Sequence, residues 1–376
     1  MGGIYLHIPF CKQACHYCDF HFSTSLKKKS QLVQALGREL QLRKEEVTGT
    51  IETIYFGGGT PSLLTSEEIE YLLQIIHTHF TVSEYPEITL EANPDDLSEA
   101  VLIALKKAGI NRLSIGVQSF FEEDLKLMNR AHNASEAIRS IELAAQYFQN
   151  ISIDLIYGIP NMSEERWTQN LEQAFKFQVP HLSCYALTVE QDTALHHFIE
   201  KGLIAPVDDD LAQQHHAILV EVTEKKGYIN YEFSNFGKPG FHSRNNMAYW
   251  HGKPYLGVGP SAHSYDGHCR SWNVRNNIKY IQHIEKDALP IEREKLSTTD
   301  RYNEYVMTRL RTQEGVSLIE VAEQFGTKRK EYLLQEARSH LRSNMLIQQD
   351  DHLRVTKKGK FLSDGIAASL FLVNLD

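Results

Sequence analysis

Three cysteines, Cys11, Cys15 and Cys18, form a C-x3-C-x2-C array inside the stretch YLHIPFCKQACHYCDFHF, Tyr5 to Phe22. Thiolates spaced this closely can turn toward one point, and a soft sulfur ligand set favours zinc or an iron–sulfur cluster. A closed zinc site needs four ligands, so this array would have to borrow His16, His21 or a distant group. A [4Fe–4S] cluster ordinarily takes four cysteines; with three, one iron is left open to a substrate or cofactor. The array therefore reads as a catalytic metal site rather than a closed structural one. Cys184 and Cys269 stand alone and read as small buried residues.

Further polar residues follow strand-like runs along the chain. Gly57-Gly58-Gly59-Thr60-Pro61 comes straight after an apolar run, and no Lys-Ser/Thr follows it, which argues against a phosphate-binding loop. Glycine leaves room for a ligand to approach the backbone, and successive N–H groups are able to hydrogen-bond one. Glu91 lies in EITLEANP, Gln118 closes RLSIGVQ, and Asp154 lies in ISIDLIYG. A carboxylate can accept from a ribose hydroxyl, an amide can donate and accept, and Arg130 can clamp a carboxylate with two parallel bonds. Tyr17 offers an aromatic face beside the metal, while Phe20 and Phe22 would shield it from water, which protects a reactive radical.

The elements that must hold these groups are six strand-like runs: Ile4–Ile8, Ile51–Phe56, Ile88–Ala92, Arg112–Gln118, Ile151–Tyr157 and Leu182–Leu187. Helical spacing separates consecutive runs, as in Leu32, Val33, Leu36 and Leu40. That alternation predicts βαβ units and a parallel sheet, an α/β fold shaped as a partial, partly open (β/α)6 TIM-type barrel. Cys11, Gly58 to Thr60, Glu91, Gln118, Asp154 and Thr188 all fall at or near the C-terminal ends of these runs. In parallel barrels that end carries the site.

The barrel is expected over residues 1–235, and an aromatic, Gly-rich loop and linker region over 236–300. A smaller C-terminal helical domain is expected over 301–376. Within it Met345 to Thr356 alternates around Asp350-Asp351 as a hairpin, so that domain resembles a winged helix.

The 376 residues carry a formal net charge of −9, which gives no general attraction to nucleic acid or anionic membrane. Lys328-Arg329-Lys330 and Lys357-Lys358 read as solvated faces. Five cysteines, three of them clustered, do not make a secreted disulfide framework. MGGIYLHIPF shows no signal-peptide pattern, and no apolar stretch is long enough to span a bilayer, so a reduced cytoplasm is expected.

HIPFC-x3-C-x2-CDF, followed by GGGTP and LSIGVQS, resembles the radical SAM superfamily. Within it the chain is similar to the group that contains oxygen-independent coproporphyrinogen III dehydrogenase (a coproporphyrinogen III oxidase) and the HemW-type heme chaperones. The resemblance runs from about Ile4 into a HemN-type C-terminal domain. It implies a [4Fe–4S] cluster on Cys11, Cys15 and Cys18 and S-adenosyl-L-methionine (SAM) chelated at the open iron, where one-electron reduction yields a 5′-deoxyadenosyl radical. It also implies SAM-binding roles for Tyr5, Gly58, Gly59, Thr60, Glu91, Gln118, Arg130, Asp154 and Ala186. Of these, Gln118, Arg130 and Asp154 match residues near the second SAM of the dehydrogenase.

Two departures separate the relatives. The dehydrogenase pattern has a fourth cysteine two residues after the third, where this chain reads Asp19-Phe20, and it has a longer N-terminal extension. Both favour the heme-chaperone branch. That branch carries H-N-x-x-Y-W, its histidine implicated in heme ligation, but the aligned hexamer here is Asn245-Asn246-Met247-Ala248-Tyr249-Trp250. Asparagine is a poor iron ligand beside imidazole or thioether. His242, Met247 and His251 are the nearby alternatives, and Tyr249 and Trp250 offer flat surface for a porphyrin.

The expected function is thus heme binding and transfer to respiratory proteins, with an electron donor for the cluster. The alternative is a radical SAM enzyme abstracting hydrogen from coproporphyrinogen or another organic substrate.

Overall fold

The computed structural model describes residues 2–373; residue 1 and residues 374–376, the outer limits of the expected 1–235 and 301–376 units, lie outside the described residues. Six strands lie side by side in sequence order, each parallel to the next: β1 (Gly2–Ile8), β2 (Ile51–Gly58), β3 (Val82–Ala92), β4 (Arg112–Gln118), β5 (Asn150–Tyr157) and β6 (His181–Ala186). The crossovers between them carry α1 (Lys29–Leu42), α2 (Ser66–His79), α3 (Glu99–Lys107), α4 (Glu122–Leu127), α5 (Ala134–Tyr147) and α6 (Glu164–Lys176). After β6 come α7 (Ala194–Glu200) and α8 (Asp209–Lys225).

The strand period of two explains both layers. Ile4, Leu6 and Ile8, with Ile54, Phe56, Leu113, Ile115, Ile153 and Leu155, are fully buried and join one core with Leu32, Val33, Leu36 and Leu40 of α1. Alternate positions on the inner face meet across neighbouring strands: Tyr5 stacks on Tyr55, Tyr55 hydrogen-bonds Glu91, Ser114 hydrogen-bonds Asp154, and Ser152 hydrogen-bonds His181. Helix starts are set locally: Thr65 and Glu68 close a capping box on α2, and Asn133 and Glu136 close one on α5, each typically contributing about 1 kcal/mol.

The expected loop and linker of 236–300 is where the structure departs from the sequence reading. β8 (Asn235–Gly237) adds antiparallel to β6, and β7 (Ile229–Glu232) pairs antiparallel with β8. Beyond α9 (Arg244–Trp250), β9 (Tyr255–Val258) pairs parallel to β1, with Gly3 opposite Tyr255. Then β10 (His263–Tyr265) and β11 (Cys269–Asn273) continue antiparallel, α10 (Asn277–Ile284) follows, and β12 (Ile291–Lys295) completes one twelve-stranded sheet. This region is a sheet extension rather than a linker. Leu256 and Val258 of β9 belong to the barrel core, whereas most of β12 is exposed and so carries no apolar alternation.

The C-terminal unit has its own core, built on Tyr302, Val306, Leu310, Val321, Leu333 and Leu353. Its elements are α11 (Thr298–Leu310), β13 (Val316–Ser317), α12 (Leu318–Phe325), α13 (Thr327–Glu336), α14 (Arg338–Arg342), β14 (Leu346–Gln349), β15 (His352–Val355) and α15 (Ser363–Ser369). β14 and β15 form the hairpin about Asp350, whose φ of +52° turns the chain, and β13 joins β15 as a third strand. Among the described residues no helix is long and apolar enough to cross a membrane.

Candidate functional site

The loop that follows β1 holds all three clustered cysteines, each half-buried. Hydrogen bonds to distant segments fix its course. Cys11 N donates to Ser23 O at 3.1 Å, and Ser23 N donates to Pro9 O at 2.9 Å, closing the loop at its base. Farther out, His16 N donates to Met128 O, the His16 ring bonds Leu127 O at 2.8 Å, and Asn129 Nδ2 donates to Ala14 O at 2.7 Å. Leu195 N, at the start of α7, donates to His16 O. The loop therefore lies across the C-terminal end of the barrel, tied to the segment after β4 and to the one after β6.

Arg130 connects this loop to the strand ends. Its Nη1 donates to Cys15 Sγ at 3.3 Å, while Nη2 donates to Asn93 Oδ1 at 2.7 Å and to Gly116 O at 2.9 Å. Asn93 Nδ2 in turn donates to Thr60 Oγ1 at 3.3 Å. Gln118 ends β4 at φ +67°, beyond a register shift in its pairing with β5, and its amide nitrogen lies beside Gly116, where a Cβ would be 2.8 Å away. Bulges and left-handed non-glycine residues of this kind re-aim side chains and cluster at functional sites.

Glu91 receives Tyr55 Oη at 2.8 Å and Gly58 N at 3.1 Å, and Tyr55 stacks on Tyr5 with centroids 6.0 Å apart. Asp154 receives Ser114 Oγ at 3.0 Å and Ser152 Oγ at 3.3 Å. Ala186 closes β6 beside Tyr157 of β5. Of the nine SAM candidates, Gly58, Gly59, Thr60, Glu91, Gln118 and Ala186 lie at or just beyond strand ends on the side that carries the cysteines, Tyr5 and Asp154 sit mid-strand in β1 and β5, and Arg130 follows α4.

The glycine segment acts differently from its sequence reading. Gly58 N is engaged by Glu91 and Gly59 N by Ile8 O at 2.9 Å, so these two N–H groups are not free to cradle a ligand. What the segment supplies is close approach: a Cβ on Gly59 would stand 2.7 Å from Phe10 O and 2.9 Å from Ile8 O. The strand end thereby sits directly under the cysteine loop.

Burial dominates the electrostatics. It pushes the Cys18 thiol up to about 11, with Cys15 and Cys11 adding to the rise, and it raises Cys11 against an opposing hydrogen bond from Thr60. Burial also lifts Glu91 to about 7, opposed by the Tyr55 bond and reinforced by nearby Asp154; Asp154 itself rises to about 6. His7, buried against His21 O, falls to about 4. Cys11 and Cys18 therefore keep their protons in the bare protein, and a metal that binds them would displace those protons. Among the described residues the three sulfurs do not all lie within 4.8 Å of one another. Three thiols on one loop suit a cluster that leaves one iron open. A second feature fits a bound ligand: Arg130 Nε is buried without a partner.

The heme candidates lie elsewhere. Asn245 N and Arg244 N donate to the Glu87 carboxylate at 3.1 Å, and Thr53 Oγ1 donates to Asn245 Oδ1 at 3.2 Å. This places the start of α9 against the early residues of β2 and β3, the end of the barrel opposite the cysteines. His242 stacks on Tyr231 at 4.3 Å, close to His181, the first residue of β6, and its Nε2 is buried without a partner. Met247 lies half-buried within α9, and His251 caps it with Nε2 2.8 Å from Glu314 Oε2. None of the three meets the cysteine loop. Tyr55, Asn93, Ser114 and Ser152 are site residues that the sequence reading passed over. Tyr55 and Ser152 were detectable as polar members of alternating strands, and Asn93 as the residue just beyond β3.

Residues 5–174 match the radical SAM superfamily and residues 296–362 match the HemN C-terminal domain. The heme chaperone HemW of Mycobacterium tuberculosis is 32% identical over 98% of this chain and 94% of its own length. HemW of Bacillus subtilis is 32% identical, covering 97% and 98%, and HemW of Escherichia coli is 33% identical, covering 98% of each. Among solved structures, the radical SAM enzyme coproporphyrinogen III oxidase, HemN, of Escherichia coli shares the fold at a TM-score of 0.85, with 23% identity over 98% of this chain and 89% of that one. With a partial barrel that gathers three thiols at its mouth, and with this similarity along nearly its whole length, the chain belongs to the HemW heme-chaperone family of the radical SAM superfamily.

Proposed function

We propose that the protein is a cytoplasmic heme chaperone. In this reading Cys11, Cys15 and Cys18 hold a [4Fe–4S] cluster, the strand ends hold SAM, and heme is carried as cargo for respiratory proteins. Such a cluster would draw its electron from an external donor. The observation that carries the reading is the linkage of Cys15 through Arg130 and Asn93 to Thr60, which joins the cysteine loop to the strand ends around one opening.

When bound at Cys11, Cys15 and Cys18, a cluster with an open iron would supply one-electron reduction of the SAM sulfonium. The chain's own residues orient and shelter. Arg130 keeps a fixed positive charge beside Cys15, where it offsets the negative charge of thiolates and cluster. Tyr5 and Tyr55 present stacked rings next to Gly57, and Glu91 and Asp154 offer acceptors for hydroxyl or amino groups. Gln118 adds an amide that can donate or accept. Asp19 and Phe20 occupy the place of the fourth cysteine in the dehydrogenase pattern, which favours carriage of heme over conversion of coproporphyrinogen.

Iron and sulfide analysis of anaerobically purified protein, with electron paramagnetic resonance before and after SAM and a hemin titration, tests this. Expected are equal iron and sulfide, a cluster signal that SAM alters, and saturable hemin binding. Zinc in place of iron, or no saturable hemin binding with the cluster intact, would overturn the reading. Formation of protoporphyrinogen IX from coproporphyrinogen III would favour the enzyme instead.

A further inference from the structure

A cavity of about 270 Å³ lies where β7 and the turn after it meet the C-terminal unit. Asn230 and Phe233 stand on one side; the end of α11, the β14–β15 hairpin and the segment leading into α15 stand on the other. Four cations line it, Arg311, Arg354, Lys357 and Lys360, and among the described residues no Asp or Glu does, in a chain whose net charge is −9. Like charges gathered in one concavity draw an ion of the opposite sign.

Two of the four charges are already matched. Arg311 Nη1 donates to both oxygens of Asp364, at 2.7 and 2.8 Å, and Lys357 reaches Glu224 of α8 at 2.6 Å. The other two are not. Arg354 donates to Glu314 O and to Gln349 Oε1, each at 3.1 Å, and Lys360 donates to Asn230 Oδ1, all uncharged acceptors. Among the described residues neither Arg354 nor Lys360 forms an ion pair. Burial, with Lys357 nearby, holds Lys360 down to about 8 despite Glu224.

A second observation at the same place is independent of charge. Ser363 is 1% exposed and lines the cavity, and its Oγ makes no hydrogen bond. Arg311 Nε is buried without an acceptor as well. Buried polar groups are nearly always partnered, so an orphaned hydroxyl beside a cationic cavity marks a place for an acceptor. A hydroxyl, an ammonium and a guanidinium on separate segments suit the several oxygens of a tetrahedral oxyanion better than the planar pair of a carboxylate. Two unmatched positive charges suit a dianion.

We propose that this cavity is an oxyanion site that takes a phosphate group, with Arg354 and Lys360 supplying the charge and Ser363 Oγ a further donor. The space is smaller than that of a drug-sized site and admits inorganic phosphate or a small phosphate monoester, for which Phe233 offers an apolar wall. Bonds already cross this seam, from Lys360 to Asn230 and from Lys357 to Glu224, so a bound anion adds to the contact between the barrel and the C-terminal unit. The site takes no residue from the cysteine loop or from α9, and it stands whether or not the heme-chaperone reading does.

The test is isothermal titration of the full-length, cluster-loaded protein with inorganic phosphate, glycerol 3-phosphate and succinate, at fixed ionic strength. Wild-type protein should bind a phosphate compound saturably and succinate far more weakly. Tighter binding of inorganic phosphate names the free ion as the ligand, and tighter binding of glycerol 3-phosphate names an ester. Lys360→Gln and Arg354→Gln should each weaken phosphate about tenfold, the order expected for one charge-assisted hydrogen bond. Ser363→Ala, a small change that removes only the orphaned hydroxyl, should weaken it several-fold without lowering the urea midpoint measured in the absence of phosphate. No saturation by either phosphate compound, wild-type affinity in all three variants, or succinate bound as tightly as phosphate would overturn the assignment.

Discussion

Arg130 reaches Cys15 Sγ with one guanidinium nitrogen at 3.3 Å and Asn93 Oδ1 with the other at 2.7 Å. One planar fork thus sets the distance between the cysteine loop and the end of β3. A lysine keeps the charge but cannot span both contacts. Arg130→Lys is expected to retain the cluster and to weaken SAM binding about tenfold, the effect of losing one hydrogen bond from a charged group. Isothermal titration with SAM under anaerobic conditions reads the affinity, and the iron content shows that the cluster remains. Unchanged affinity would remove Arg130 from the ligand site.

Gly59 makes the second physical link between strand and loop. Its Cβ-less backbone passes where an added methyl would stand 2.7 Å from Phe10 O and 2.9 Å from Ile8 O, both main-chain atoms that cannot swing aside. Overpacking of this kind costs about 1–3 kcal/mol. Gly59→Ala is expected to destabilise the protein by that amount in denaturant melts and to lower cluster occupancy after reconstitution. A variant with wild-type stability and iron content would show that the close approach is not needed.

Much of this arrangement was legible in the residues themselves, and the part that was not has a physical cause. The parallel strands announce themselves because Ile4, Leu6 and Ile8, or Leu113, Ile115 and Val117, are buried apolar residues at strand spacing. The cysteine spacing and the Gly-rich strand end are equally local signals. β9 through β12 escape a local reading because they are three to five residues long, and because the pairing that makes them strands joins Tyr255 to Gly3, far away along the chain. Nothing local to Ile291–Lys295, four of whose five residues are exposed, marks it as sheet. The heme candidates show the same limit. His242 and His251 are close in sequence, yet one ring stacks on Tyr231 of β7 while the other lines a cavity against the C-terminal unit.

Position 245 allows a direct check on that geometry. Asn245 accepts from Thr53 Oγ1 at 3.2 Å inside the barrel floor, and a Cβ on Gly3 would lie 3.6 Å from its Oδ1, so this side chain turns toward the strands. Asn245→His is therefore expected to leave the Soret position of the hemin complex unchanged. A new low-spin band in that variant, measured in the same titration as wild type, would mean that the residue reaches the iron and that α9 presents a different face to the ligand.

Glu91 predicts a pH dependence whose sign is set by burial. Its pKa in the folded protein is about 7, above the ordinary glutamate value of 4.5, because burial and the neighbouring Asp154 outweigh the bonds from Tyr55 and Gly58 N. Between those two pH values the folded chain holds a proton that the unfolded chain releases, so the unfolded state binds fewer protons and stability falls as pH rises. The penalty is absent below about pH 4.5 and complete above about pH 7. Glu91→Gln removes it, and the cofactor-free variant is expected to gain about 1–3 kcal/mol over wild type at pH 8 and little at pH 5. Binding of the cationic SAM beside Glu91 favours the ionised carboxylate, so wild-type affinity should rise from pH 6 to pH 8 while that of Glu91→Gln stays flat. Urea melts at the two pH values, paired with SAM titrations across the range, read both effects. If wild type and variant show parallel pH profiles, the buried carboxylate does not titrate in this window and takes no part in holding the ligand.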